Sequence, residues 1–104
     1  MNHVNLIGTI CSEPTVHFLA NGRKIAQFSM STQEQYLDAE GNTKVQRQWH
    51  RVNAWGNWVK VLEEFGAKGL KLAIEGRLVS RFYKSIEGKR KFVTEVEVND
   101  LIIL

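Results

Sequence analysis

The 104-residue sequence has one cysteine, one proline and no hydrophobic run of about 18 residues. Because the single cysteine, Cys11, cannot form a disulfide within the chain, a reducing compartment and hence a cytoplasmic location are expected. Without a long hydrophobic run, no membrane-spanning helix is predicted. The N-terminus lacks the features of a secretory signal. With proline only at position 14 and no low-complexity tract, the length predicts one domain over residues 1–104.

Patterns for catalysis and metal binding are also missing. None of the three histidines lies at the close spacing of metal-ligand pairs with another histidine or with Cys11. No Gly-rich phosphate loop is followed by Lys and Ser or Thr. Glu95 and Glu97 are expected on the solvated side of a strand rather than as an acid–base pair. We therefore expect a protein that is not an enzyme and that needs no metal and no cofactor.

Alternating apolar and polar residues predict five β-strands. They cover residues 4–19, 25–35, 45–55, 70–82 and 92–98, and the chain ends in the apolar residues 101–104. The first strand is broken at Pro14 and resumes, and Gly8 predicts a bulge or a close approach of another backbone. Asn21–Gly22 predicts a two-residue hairpin turn, because both residues tolerate positive φ.

Between the third and fourth strands the period changes to that of a helix. Its predicted inward face consists of Trp58, Val61, Leu62 and Phe65. Trp58 is expected to close one barrel end, Asn57 to cap the helix start and Gly66 to end it in a left-handed turn. Three strands, a helix and two strands predict an all-β, five-stranded oligonucleotide-binding (OB) barrel, with a two-layer α+β sheet as the alternative.

The segment RQWHRVNAWG, residues 47–56, places aromatic rings and fixed positive charges together. Side chains alternate between the two faces of a strand, so one face carries Arg47, Trp49, Arg51 and Trp55. Val52 and Ala54 lie on the other face and suit a barrel interior. Burying an unpaired guanidinium is very costly, so the arginine face is predicted to point outward. A group of exposed aromatic residues then marks a contact surface.

The fourth strand repeats the pattern. Its predicted core face consists of Leu70, Leu72, Ile74, Leu78 and Phe82. Its opposite face carries Lys71, Arg77, Arg81 and Tyr83. Residues 66–92 contain eight basic and two acidic side chains, a local charge of +6 in a chain of +3. Rings for base stacking and cations for phosphates are what single-stranded nucleic acid requires, so we predict that it binds here.

The sequence also resembles a known family. The segments NHVNLIG at 2–8, NG at 21–22, WHRV at 49–52 and IEG at 74–76 together are similar to bacterial single-stranded DNA-binding proteins. The resemblance covers nearly the whole chain. It implies an OB barrel, usually a homotetramer, that coats single-stranded DNA without sequence preference in replication, recombination and repair. A dimer is the alternative assembly, and a nucleoid-associated location is implied.

The resemblance also implies roles for particular residues. By motif position, the stacking rings are Trp49, Trp55, Tyr83 and Tyr36, and each departure from the family's usual residue keeps a ring. Independently of the resemblance, the alternation and the basic run of residues 66–92 predict phosphate contacts from Arg47, Arg51, Arg77, Arg81, Lys71 and Lys84. The expected subunit-interface residues are His50, which matches a family interface position, with His3 and Asn5 of the first strand.

Family members generally continue into a flexible stretch and an acidic tail that recruits replication and repair proteins. This sequence ends at Leu104, so either such a tail has been removed or this is a natural short form, and recruitment through a tail is not supported. The main alternative is a primosome-type OB interaction protein, a tailless dimer that assembles replication-restart factors. A cold-shock-like role in binding RNA is a third possibility. The aromatic residues at all the stacking positions favour binding of single-stranded DNA over a pure scaffold.

Overall fold

The computed structural model describes residues 1–104. The elements are β1 (Val4–Ile10), β2 (Thr15–Phe18), β3 (Lys24–Leu37), β4 (Thr43–Trp55), α1 (Asn57–Phe65), β5 (Lys71–Lys84) and β6 (Arg90–Ile103). Both β1 and β2 pair with β3, so they are the two halves of the single first strand that the sequence predicts. The nine-residue α1 is the only helix, and it lacks the length and apolar character needed to cross a membrane.

The strands close into a barrel. Their order is β1–β5–β6–β4–β3–β2, and an additional pairing of β1 with β3 joins the two sides of the sheet. All pairings are antiparallel except that of β4 with β6, which is limited to Val52 with Val96 and Asn53 with Glu97. The closed five-stranded barrel with one short helix confirms the predicted OB fold in place of a two-layer sheet.

Gly8 lies where the barrel closes. A Cβ atom at this position would overlap the carbonyl oxygen of Ser31 in β3. The predicted close approach of another backbone is therefore confirmed. Gly76 has the same role on β5, where a Cβ would overlap the carbonyl oxygen of Glu97 beside a register shift between β5 and β6. Neither site has room for a larger residue unless a paired strand moves.

The interior is one cluster of 13 buried side chains to which every element except β2 contributes. Ala26, Phe28 and Met30 point inward from β3, and Val52 and Ala54 do so from β4. The alternation predicted for these two strands is therefore confirmed. Each fully buried aliphatic or aromatic side chain contributes about 1.5–3 kcal/mol relative to an exposed one, so this cluster stabilises the closed barrel.

The helix is rotated from the orientation that the sequence predicts. Val59 and Leu62 are its buried residues, whereas Trp58 and Val61 are only partly buried. Phe65 is 55% exposed, so its predicted place on the inward face is wrong. Trp58 lies at the margin of the core and donates a hydrogen bond from Nε1 to the carbonyl oxygen of Asn99, at 3.3 Å. Because Val59 is also apolar, the apolar arc of the helix is wider than the predicted face, and the end of the arc that carries Leu62 and Val59 faces the barrel.

Three local predictions at turns are also wrong. Gly56, with φ of 62°, occupies the N-cap position without a side-chain cap, and Asn57 is the first helical residue. Gly66 is extended, with φ of −72°; here a Cβ would overlap the carbonyl oxygen of Leu62. The turn at Asn21–Gly22 is not the predicted two-residue hairpin turn. Only Gly22 has positive φ, and the Leu19 N–H donates a hydrogen bond to the Arg23 carbonyl oxygen, so the loop has three residues.

The last two strands extend beyond the barrel as a ribbon. The residues of β5 after Leu78 pair only with β6, and residues 90–95 of β6 pair only with β5. Leu78 is 48% exposed and Phe82 is 63% exposed, so their predicted place on the core face is wrong. Leu72 and Ile74 are buried as predicted, and Leu70 packs partly against the core. Apolar and polar residues continue to alternate along this part of β5, but no other part of the barrel covers its apolar side chains.

Candidate nucleic-acid interface

The outward face of β4 carries the aromatic and basic residues that the alternation predicts. Trp49 is 64% exposed and lies between the exposed Arg47 and Arg51. Trp55 is half-buried on the same face, and the guanidinium of Arg23 lies 5.2 Å from its ring centroid. That distance allows a cation–π contact, so part of the Trp55 ring is already covered by the chain itself.

A basic depression lies on one side of Trp49. It is lined by Arg47, Lys68 and Lys71 together with Ser31, which is paired with Trp49 across β3 and β4. None of the three cations is paired with a carboxylate. Lys68 is absent from the predicted site residues, and its only sequence signal is its place in the basic run of residues 66–92. Three unpaired cations in one concave region favour a phosphate group.

A second depression lies on the other side of Trp49. Arg51, Arg81, Tyr83 and Gln27 line it together with Glu95. Glu95 is 3% exposed and accepts a hydrogen bond from Arg81 Nε at 2.8 Å, so its predicted place on a solvated face is wrong. A buried carboxylate requires a charge partner, and Arg81 supplies it. Arg51 is therefore the unpaired cation of this depression.

Of the other predicted phosphate-contact residues, one is paired with a carboxylate and one lies on another face. Arg77 is exposed and is 3.2 Å from a carboxylate oxygen of Glu97. Lys84 follows Tyr83 in β5, so the alternation places it on the opposite face of the ribbon from Arg81 and Tyr83. The cations near Trp49 without a carboxylate partner are therefore Arg47, Lys68 and Lys71 in the first depression and Arg51 in the second. Arg23 is a further one, against Trp55.

Tyr36 is separated from the other predicted stacking rings. It pairs with Lys44, five positions along β3 from Ser31, the partner of Trp49. That separation corresponds to about 17 Å along the strand, and the odd number of steps puts Tyr36 on the other face of the β3–β4 ribbon. The structure thus brings Trp49, Trp55 and Tyr83 to one outer surface and leaves Tyr36 outside it.

The predicted interface residues fall into two places. Ile7, Ala73 and Ile102 are paired across β1, β5 and β6, and they form an outward apolar row in which Ile7 is 70% exposed. Asn5 lines the same surface, and His3 Nδ1 is 3.9 Å from Glu75 Oε1 beside it. His50 is half-buried on β4, where its Nε2 is 3.0 Å from Thr32 Oγ1. Because β4 pairs with neither β1 nor β5, His50 lies apart from the apolar row.

The chain is similar to known proteins over its whole length. The sequence model of the Single-strand binding protein family matches residues 1–104. Single-stranded DNA-binding protein 1 of Chlorobaculum tepidum is 32% identical over 105 residues, which cover 100% of this chain and 65% of that relative. The chain therefore spans less than two thirds of that relative's length.

Solved structures show the same fold. The Plasmodium falciparum SSB in complex with ssDNA aligns with a TM-score of 0.90 and 31% identity, over 100% of this chain and 95% of that one. A deletion mutant of the single-stranded DNA binding protein from Thermus aquaticus aligns with a TM-score of 0.88 and 26% identity, over 100% of this chain and 50% of that one. Both similarities extend over every element of the barrel.

Proposed function

The chain belongs to the single-strand binding protein family, and we propose that it binds single-stranded DNA without sequence preference and protects it during replication, recombination and repair. The observation that carries the proposal is the exposed Trp49 ring between the unpaired Arg47 and Arg51 on the outer barrel surface. The similar structure from Plasmodium falciparum is named as a complex with ssDNA, which supports DNA as the ligand. No catalytic step is part of this proposal.

The spacing of these residues suits a stacked base with phosphates on both sides. Arg47 and Arg51 each lie two residues from Trp49, which is about 7 Å along the strand. A base stacked on an aromatic ring contributes about 1–3 kcal/mol, and it does so with little dependence on sequence because every base has a π-face. Cations attract the backbone of any sequence equally. Both contributions are therefore compatible with binding that ignores base identity.

The wider path follows the two depressions. One phosphate group would be bound by Arg47, Lys68 and Lys71, and the strand would then cross Trp49 to Arg51 and Tyr83. Trp55 offers a further stacking ring that has to share its surface with Arg23. Arg77 and Arg81 would contact phosphates more weakly, because each already has a carboxylate partner. Tyr36 and Lys84 remain proposed contacts for DNA that continues beyond this surface.

Trp49→Ala is expected to weaken binding to oligo-dT by about 5- to 150-fold, because it removes one stacking platform worth about 1–3 kcal/mol. Fluorescence anisotropy of a labelled oligonucleotide measures the affinity. Trp58→Ala is the matched control: Trp58 is a tryptophan outside this surface, so its loss should lower the melting temperature and leave the affinity unchanged. An unchanged affinity in Trp49→Ala would contradict the proposed site.

The same titrations separate the proposed function from its alternatives. A wild-type chain that shows no affinity for oligo-dT, together with capture of replication-restart proteins, would favour the scaffold role. Tighter binding to RNA than to a DNA oligonucleotide of the same sequence would favour the cold-shock-like role. We expect the protein to come from a bacterium and to be cytoplasmic and associated with the nucleoid, which microscopy of a fluorescent fusion can test.

We also propose that the chain forms a homotetramer, or else a dimer, through the apolar row of Ile7, Ala73 and Ile102. An exposed apolar row of this kind marks an interaction surface, and Asn5 and His3 lie beside it. Ile7→Glu is expected to lower the mass measured by light scattering, because it places a charge in the buried interface. Leu37→Glu is the control, since Leu37 is equally exposed at 70% but lies outside the row. A wild-type monomer at micromolar concentration would refute the proposal.

A further inference from the structure

The face of the β5–β6 ribbon opposite Tyr83 carries a second group of exposed aromatic residues. Phe82 and Phe92 are directly paired across the two strands, with their ring centroids 5.1 Å apart and their planes at 66°. Phe82 is 63% exposed and Phe92 is 59% exposed. In this edge-to-face pair the edge of one ring covers part of one face of the other, and both side chains remain more than half exposed. These rings therefore offer stacking surface to a ligand.

Positive charge surrounds this aromatic pair. The guanidinium of Arg90 lies 5.0 Å from the centroid of the Phe82 ring and covers part of it, as Arg23 does at Trp55. Lys84 is paired with Arg90 two register positions from the Phe82–Phe92 pair, so both cations belong to the same face as the two rings. The end of the ribbon, residues 84–92, contains four basic side chains and one acidic side chain. Neither Lys84 nor Arg90 is paired with a carboxylate.

The occupant that this chemistry fits is single-stranded nucleic acid. Uncovered rings bind nucleobases by stacking, and adjacent cations attract the phosphates that join them. A purely apolar protein partner would have to desolvate the unpaired cations of Lys84 and Arg90 as it covered the rings, which costs free energy. The combination of rings and unpaired cations is also the one found around Trp49.

The ribbon face that carries Phe82 and Phe92 adjoins the surface around Trp49. Phe82 borders the same depression as Tyr83, Arg81 and Arg51. Beyond Leu78 the outer edge of β5 pairs with no other strand, so no part of the fold blocks passage around it. A single-stranded DNA molecule that leaves Tyr83 can thus reach Phe82 by passing around the edge of β5.

We propose that Phe82, Phe92, Arg90 and Lys84 form a second stacking platform, which binds single-stranded DNA after it has passed around the edge of β5. The inference rests on the proposed function and extends it to the opposite face of the ribbon. Under this inference, Lys84 contacts phosphate, as the sequence predicts, but on the side away from Trp49.

The test uses the full chain with a short oligo-dT of about 8 nucleotides, which lies within the range of about 4–16 that one OB barrel covers, and a long one of about 30, which exceeds that range. The double variant Phe82→Ala, Phe92→Ala should weaken binding to the long oligonucleotide by about 5- to 150-fold and leave the short one unaffected. The double variant with leucine at both positions should lose the same affinity, because leucine is apolar but has no π-face. Ile86→Ala, which removes a fully exposed apolar side chain at the tip of the same ribbon, should lose none.

A second measurement does not depend on variants that could disturb the ribbon. The wild-type chain is irradiated with a long oligonucleotide that contains bromodeoxyuridine, and cross-linked peptides are identified by mass spectrometry. Cross-links at Phe82 or Phe92 are expected. Their absence, while Trp49 is cross-linked, would overturn the second platform and leave the proposed function intact.

Two further outcomes complete the test. Full retention of affinity by the leucine variant would overturn stacking at this face. A lower mass of the alanine variant in light scattering, with DNA binding unchanged, would show that the face joins copies of this chain and would also overturn the inference. Weaker binding of Trp49→Ala to both oligonucleotides is the result expected from the first surface, and it is independent of the second.

Discussion

Replacing Leu62 by alanine is expected to lower the free energy of unfolding by about 2–5 kcal/mol. Leu62 is 2% exposed and is one of the two buried residues of α1, so its truncation leaves a cavity against the barrel. The loss includes both the transfer of the removed atoms and the cavity that surrounding side chains cannot fill. Urea denaturation monitored by circular dichroism measures the change.

Phe65→Ala is the matched control on the same helix. Phe65 has the larger side chain but is 55% exposed, so its replacement should change stability by less than about 0.5 kcal/mol. Trp58→Ala should fall between the two, because Trp58 is partly buried and makes one hydrogen bond. A cost at Phe65 as large as that at Leu62 would mean that the helix packs as its periodicity predicts and not as the structure shows.

The orientation of α1 illustrates what periodicity can and cannot determine. The positions of Trp58, Val61, Leu62 and Phe65 predict correctly that a helix lies between the third and fourth strands. They do not determine its rotation, because Val59 widens the apolar arc and several rotations bury similar area. The rotation is decided by contacts with the barrel end, which are distant in the sequence.

The outer surface of β4 was predictable because one energetic term dominates there. Burying Arg47 and Arg51 without partners would cost far more than exposing Trp49, so only one assignment of faces is acceptable. Glu95 shows the opposite case. Its burial depends on Arg81, 14 residues away on another strand, and a sequence pattern within one strand does not contain that partner.

The β5–β6 ribbon shows a second limit. Alternation along a strand gives the two faces but does not show where the barrel wall opposite one of them ends. Leu78 and Phe82 continue the pattern of Leu72 and Ile74, yet they lie beyond the barrel and are exposed. Tyr36 is a similar case, since the motif gives its position in the sequence while the register of β3 with β4 decides its face.

Binding to oligo-dT is expected to weaken by about 50- to 2,000-fold when the salt concentration rises from about 50 to about 200 mM. The unpaired cations Arg47, Arg51, Lys68 and Lys71 flank Trp49, and each phosphate that a cation neutralises releases condensed counterions. With about four to eight contacts per chain, log affinity should fall against log salt with a slope of about −2.8 to −5.6. Equal affinity at both salt concentrations would contradict binding through phosphates.

Single variants locate the cations responsible. Arg51→Gln should lower affinity at low salt and make the slope shallower by about 0.7, because one phosphate contact is removed. Lys60→Gln is the control, since Lys60 is an exposed cation on α1 outside both depressions and should leave the slope unchanged. Arg77→Gln should change the slope less than Arg51→Gln. Arg77 is paired with Glu97, and the carboxylate offsets the attraction of the guanidinium for a phosphate. If all three variants shifted the slope equally, the attraction would come from net charge alone and not from the surface around Trp49.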